Sequence, residues 1–164
     1  MNDAQRPTSY GVFKPVGHVV MAFPTAADSD RASSALIASG FGATDITAHT
    51  PAQMLEQAER DVAQAGTLAG LGQELNLVKA HGELARQGSS FLVVRARTRE
   101  DTATLTQVAL HCHASRAQHY GRLVIEELIP VGGSDHQVAE STDRGLDAQT
   151  TSGAESARSG GVSR

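Results

Sequence analysis

The chain has 164 residues, 40% of them hydrophobic, which is enough for one folded domain with a tail. Only 4% of the residues are aromatic, Trp is absent and the net charge is −4, so the composition disfavours nucleic-acid binding, which relies on basic charge and aromatic stacking. A single cysteine cannot form an internal disulfide, and no signal peptide or apolar run of membrane-spanning length is visible, so we expect a cytoplasmic protein with no membrane partner.

The first part of the predicted domain follows an N-terminal arm, residues 1–16. A nearly continuous apolar run predicts a strand at His18–Phe23, and this composition suits a strand inside a sheet. Thr25 is predicted to cap a helix that Gly40 ends in the left-handed conformation. A second strand is predicted at residues 44–49, so strand, helix and strand form a first βαβ unit.

An αα-hairpin is predicted next, at residues 51–87. Thr50, Pro51 and Gln53 give the strongest local signal, because Thr caps a helix, Pro fits its first position and Gln completes a capping box. The inward face of this helix is predicted to hold Met54, Leu55, Ala58 and Val62, and the outward face Glu56, Gln57, Glu59, Arg60 and Asp61. A turn marked by Gly66, Gly70 and Gly72 leads to the next helix.

The second βαβ unit is predicted between residues 91 and 128. A strand at 91–97 is followed by a helix that Thr98 and Asp101 cap. The inward face of that helix is predicted to hold Leu105, Val108, Ala109 and Cys112. The last strand is predicted at residues 120–128, with one apolar and one polar face.

This order of elements, β-α-β-α-α-β-α-β, predicts an α/β fold of the α+β sandwich type. The expected form is a ferredoxin-like duplicated βαβ with an αα-hairpin inserted between the halves, an antiparallel sheet and helices on one face. A doubly wound parallel sheet, covered on both faces, is the alternative. The domain is predicted to span residues 17–130, and residues 131–164 are too poor in apolar residues to offset their ordering entropy, so a disordered C-terminal tail is predicted.

The first βαβ unit resembles the heat-induced general stress protein family (YflT-type). The residues that carry the resemblance are Val20, Phe23, Ala32, Ala35, Leu36, Gly40, Phe41, Asp45 and Ile46. They span roughly the first third of the predicted domain, and residues 119–122 in the second unit match no motif of that family. The resemblance implies a non-enzymatic, stress-associated protein, and it brings no catalytic residues to this chain.

A ligand site is predicted at the start of the last strand, where polar and aromatic residues are densest. His119, Tyr120 and Arg122 offer an imidazole, a phenol and a guanidinium, and Arg116 lies close in sequence. These groups suit a small anionic ligand. The alternative is that Tyr120 packs on the sheet edge while His119 and Arg122 are solvated.

Three other patterns are interpreted as structural. His111, Cys112 and His113 are zinc-binding residue types, but neighbouring helical positions face different directions and no second ligand pair follows, so no metal site is predicted. The three glycines of the predicted turn lack the context of a phosphate-binding loop, and no cofactor is predicted. Glu74, Lys79, His81 and Glu83 are interpreted as a solvated helix face.

Three functions remain open. The favoured one is a non-catalytic regulatory or protein-interaction domain, expected to be a homo-oligomer because an open sheet edge benefits from pairing or cover. A sensor of a small anionic ligand is the alternative. An enzyme that uses a histidine such as His81 as a general base is ranked last.

Overall fold

The structure is a computed structural model that describes residues 15–65 and 72–131, together with the backbone of residues 8–9 and 12–13. These residues form seven strands, four α-helices and one 3-10 turn. In chain order they are β1 (Thr8–Ser9), β2 (Val12–Phe13), β3 (His18–Phe23), α1 (Ala26–Ala38), the 3-10 turn (Ala43–Asp45), β4 (Ile46–His49), α2 (Pro51–Ala65), α3 (Gly72–Arg86), β5 (Ser90–Arg95), α4 (Arg99–His111), β6 (Arg116–Tyr120) and β7 (Ile125–Glu127).

Five strands form one sheet in the order β4-β5-β3-β6-β7, and every neighbouring pair is antiparallel. Strands β3 and β4 both pair with β5, so they run parallel to each other with β5 between them. Strands β5 and β6 are likewise parallel, with β3 between them. The predicted α+β fold with an antiparallel sheet is confirmed, and the ferredoxin-like assignment stays a prediction.

Helices cover both faces of the sheet, so the expectation of helices on one face is wrong. Alternate residues of β3 enter two different cores, because successive side chains of a strand point to opposite faces. Val19 and Met21 pack with residues of α1 and α4. Val20 and Ala22 pack with residues of α2 and α3. The continuous apolar character of β3 and β5 reflects this double burial.

The last predicted strand is also wrong in its bounds, since residues 116–127 form a hairpin of β6 and β7. Gly121 makes the turn possible: its N–H donates to the carbonyl of Val124 at 3.0 Å. A Cβ atom at this position would lie only 2.7 Å from that carbonyl oxygen. Leu123, predicted to alternate within a strand, lies at the exposed tip of the hairpin.

The helix starts follow the predicted capping residues. The Thr50 hydroxyl accepts from the N–H of Gln53 at 3.2 Å, and the Gln53 side chain accepts from the N–H of Thr50 at 2.9 Å. Thr98 and Asp101 form the same reciprocal pair at the start of α4, at 3.0 and 3.1 Å. Each pair satisfies N–H groups that have no partner inside the helix.

The variant Thr98→Ala is expected to lower the free energy of unfolding by about 1 kcal/mol, because it leaves the N–H of Asp101 without its cap. Thr104→Ala, in the middle of α4, is the matched control. It is expected to be neutral or stabilising by a few tenths of a kcal/mol, roughly the helix-propensity gain of Ala over Thr. Urea unfolding of both variants measures the difference, and equal effects would show that the cap contributes nothing.

Three predicted segments lie largely outside the described residues. Within the predicted N-terminal arm, the backbones of β1 and β2 pair antiparallel. The predicted turn at residues 66–71 and residues 132–164 of the predicted tail are outside the described part of the chain. The disorder of the tail therefore stays a prediction.

Candidate functional site

A cluster of polar side chains joins α3 to the β6–β7 hairpin, on the face of the sheet that α2 and α3 cover. We call it the edge cluster, and its members are His81, Arg116, Gln118, Tyr120 and Glu127. Residues 116, 118 and 120 share one face of β6 because of the period of two along a strand. The cluster runs from buried residues, His81 and Gln118, to the partly exposed pair of Arg116 and Glu127.

Four members of the edge cluster, His81, Gln118, Glu127 and Arg116, form a continuous chain of hydrogen bonds. Gln118 Nε2 donates to Glu127 Oε1 at 2.6 Å, and Arg116 donates to the same oxygen through Nε at 3.1 Å and Nη2 at 2.6 Å. Gln118 Oε1 is then left to accept, and it lies 3.0 Å from His81 Nε2. We therefore assign the proton of the neutral imidazole to Nε2, since this tautomer completes the network.

The imidazole of His81 sits among apolar groups. Its ring centroid is 5.8 Å from that of Phe91, in an edge-to-face arrangement, and 6.5 Å from that of Tyr120. The pKa of His81 is lowered from 6.5 to about 4, mainly by burial; the charge of Arg116 also lowers it, while the hydrogen bond to Gln118 and the charge of Glu127 partly oppose the shift. His81 is therefore uncharged at neutral pH.

Burial is also the main influence on the pKa of Tyr120. It raises the pKa of the phenol above its ordinary value, and the carboxylates of Glu127 and Glu74 add to this effect while Arg116 opposes it. The hydroxyl therefore stays protonated at physiological pH. Together with the neutral His81, it makes the inner part of the edge cluster polar but uncharged.

The structure does not bring all four predicted ligand residues together. Arg116 and Tyr120 belong to the edge cluster, but Arg116 is paired with Glu127 and Tyr120 is buried. His119 shares a face of β6 with Ala117, which packs in the core under α1 and α4. Arg122 is exposed in the hairpin turn. The four predicted ligand residues therefore do not all lie on one face of the fold.

The interpretation of His81 as part of a solvated helix face is wrong, since its side chain is 3% exposed. A signal for this burial was present in the sequence. His81 is three residues after Val78 and four before Ala85, and both of these residues are buried. This spacing places all three on one face of α3. The sequence interpretation treated histidine only as a polar residue and therefore missed this helical spacing.

The predicted faces of α2 need a similar correction. Gln57 and Asp61, predicted to point outward, are buried, and Gln57 Nε2 donates to Asp61 Oδ1 at 2.8 Å. Val62, predicted to point inward, is 37% exposed. Polar residues can occupy buried positions when hydrogen bonds satisfy them, and apolar periodicity alone misses such residues.

A cavity of about 390 Å³ opens between α2 and α3. Gly82 lies at a close approach of the two helices, because a Cβ atom there would be 3.3 Å from the Cβ of Ala58. Ala58, Val62 and Ala63 form the wall on α2. Glu59, Lys79 and Arg86 place three charges at the cavity. The Gly inside α3, unfavourable for the helix itself, thus lets the two helices pack closely.

The remaining candidate patterns have structural roles. Cys112 is buried in the core under α1 and α4, as predicted, together with Leu105, Val108 and Ala109. In the described part of the chain, no three His, Cys, Asp or Glu side chains are grouped so that they could hold a metal ion. None of the described helices is long and apolar enough to cross a membrane.

The fold and the edge cluster define an α+β protein with an antiparallel five-stranded sheet between two helical layers. Comparisons of the chain with models of protein families, with curated proteins and with solved structures found no match. The function is therefore inferred from the chain's own residues.

Proposed function

We propose that this chain is a non-catalytic regulatory or protein-interaction domain that associates with a second copy of itself through the β6–β7 hairpin. The observation that supports the proposal is the apolar tip of this hairpin. Leu123 is 98% exposed and Val124 is 70% exposed, although both are large aliphatic residues. An exposed pair of this kind is stabilised by burial in an interface.

The position of the tip adds a second argument. Among the described strands, β7 pairs with β6 alone and is therefore an edge of the sheet. An edge strand presents unpaired backbone groups to any chain that approaches it. Symmetrical dimers use the same surface on both subunits, so a hairpin that offers both an apolar tip and a free edge suits self-association.

The proposal includes a cytoplasmic location and a role in stress. The location rests on the single cysteine, which cannot form an internal disulfide, and the role rests on the resemblance of the first βαβ unit to the general stress protein family. A histidine general base is not proposed, because His81 is buried and engaged with Gln118. A sensor of an anionic ligand remains the alternative function.

The double variant Leu123→Ser, Val124→Ser is expected to weaken self-association at least about tenfold. Burial of an aliphatic side chain contributes roughly 1.5–3 kcal/mol, and a factor of ten in affinity corresponds to about 1.4 kcal/mol. Sedimentation velocity of the full chain over a range of protein concentrations measures the change.

The matched control is Ile37→Ser, Leu110→Ser, on α1 and α4, where both side chains are about half exposed. This variant is expected to associate as the parent does. A parent chain that stays monomeric at every concentration, or equal weakening by both double variants, would contradict the proposal.

A further inference from the structure

The cavity between α2 and α3 has the features of a binding site for a small molecule. Its volume of about 390 Å³ lies within the usual range of such sites, roughly 300–1,000 Å³. The wall on α2 holds three apolar residues, Ala58, Val62 and Ala63, together with the carboxylate of Glu59. The opposite wall, on α3, carries charged side chains on either side of Gly82.

Lys79, Gly82 and Arg86 lie on one face of α3, since they are three and four residues apart. Gly82 has no side chain to fill the space between the two cations. Within residues 15–65 and 72–131, the ammonium of Lys79 has no ion pair or hydrogen bond. Lys79 is therefore available to a ligand.

Arg86 is only loosely held by its neighbours. Its guanidinium nitrogens lie 3.7 Å from Glu59 and 3.6 Å from Glu83, and all three side chains are exposed. These distances exceed the 2.7–3.2 Å of ordinary hydrogen bonds, and exposed pairs of this kind contribute little. The cavity thus has two cations and one carboxylate, that of Glu59, among its lining residues.

We propose that this cavity binds a small organic anion with an apolar body. The anionic group lies between Lys79 and Arg86, and the apolar body packs on Ala58, Val62 and Ala63. Two cations against one carboxylate among the lining residues favour an anion, and the three apolar residues favour a ligand with an apolar body over a bare inorganic ion. The site is separate from the hairpin tip, so the proposal stands independently of self-association.

Octanoate is the probe, and octan-1-ol is the uncharged control of the same chain length. Both are titrated into the full chain, and the amide chemical shifts of residues 58–63 and 79–86 are followed by NMR. Octanoate is expected to change the amide chemical shifts of these residues until binding saturates. Octan-1-ol is expected to bind more weakly. Equal affinities of the two probes, or the absence of saturable shifts in these residues, would overturn the proposal.

Three charge variants test the proposed position of the anionic group. Lys79→Gln and Arg86→Gln are each expected to weaken octanoate binding about two- to fivefold, the range for exposed ion pairs. Glu59→Gln is expected to strengthen binding, because it removes the one carboxylate from the lining. Arg31→Gln, on α1 and outside the cavity, is the matched control and should leave the affinity unchanged. Weakening by Arg31→Gln equal to that by Lys79→Gln would contradict the proposed position.

A steric variant tests the cavity itself. Gly82→Leu places a side chain between the lining residues Ala58 and Arg86 and is expected to abolish octanoate binding. Circular dichroism checks that this variant is folded, and the charge variants provide the test if it is not. Unchanged binding by a folded Gly82→Leu variant would overturn the proposal.

Discussion

Acidification is expected to remove about 3 kcal/mol of unfolding free energy through His81 alone. The pKa of this histidine is 6.5 in an unfolded chain and about 4 in the fold. Between these values the unfolded chain binds more protons than the folded one, so stability falls as the pH falls. The contribution is fully present above about pH 6.5 and is lost by about pH 4.

The variant His81→Gln isolates this effect, since Gln can still donate to Gln118 but does not titrate. Urea unfolding of the parent and the variant is compared at pH 7, 5.5 and 4. We expect the stability difference between them to shrink or reverse as the pH falls. His111→Gln, at an exposed position on α4, is the control and should follow the parent. A constant difference between the parent and His81→Gln would show that His81 titrates normally in the fold.

Loss of the Phe91 ring is expected to cost about 3–5 kcal/mol, the usual cost of removing a buried aromatic side chain. Phe91 is fully buried in the core under α2 and α3, and its ring contacts the imidazole of His81. Phe91→Ala therefore leaves a cavity beside the edge cluster. If water enters this cavity, the desolvation that lowers the pKa of His81 is relieved.

The pKa of His81 is accordingly expected to move back toward 6.5 in Phe91→Ala, and an NMR titration of the imidazole measures it. Phe41→Ala is the control, because Phe41 is only partly buried and packs on the opposite face of the sheet. It should cost less stability and leave the His81 titration unchanged. Phe91→Leu, with a smaller expected loss of stability, provides the same test if Phe91→Ala does not fold. A stability loss below about 1 kcal/mol would contradict the burial of Phe91 in this core.

Local signals allowed much of the fold to be predicted. Capping residues such as Thr50 and Thr98 determine helix starts through contacts within three residues. The helix α2 accordingly begins at Pro51, as predicted. The burial of β3 on both faces could also be predicted, because a strand without alternating polar residues is covered on both faces. The expectation of a one-sided helical layer overlooked this signal.

The edge cluster could not be predicted in the same way, because its contacts join distant parts of the chain. His81 and Gln118 are 37 residues apart, and Asp45 and Arg97, which form a bidentate ion pair near the end of β5, are 52 apart. Which polar residues become buried depends on such partners. A helical pattern can show that His81 lies on a buried face, but it does not identify Gln118 as its acceptor.

The turn of the β6–β7 hairpin could not be predicted from the sequence either. The sequence shows a glycine at position 121, but the close approach of Gly121 to the carbonyl of Val124 depends on the pairing of β6 with β7. The continuous apolar run of residues 123–125 was therefore interpreted as part of a strand. In the fold, Leu123 and Val124 form the exposed tip on which the proposed function rests, and Ile125 begins β7.

Amide hydrogen exchange of the full chain at low and high protein concentration is the most direct test of the proposed function. We expect residues 121–127, which include the tip and the edge strand β7, to become more protected at high concentration. Residues 46–49 of β4, at the other edge of the sheet, are expected to exchange equally at both concentrations. Equal exchange of residues 121–127 at both concentrations, or added protection confined to β4, would contradict self-association through the β6–β7 hairpin.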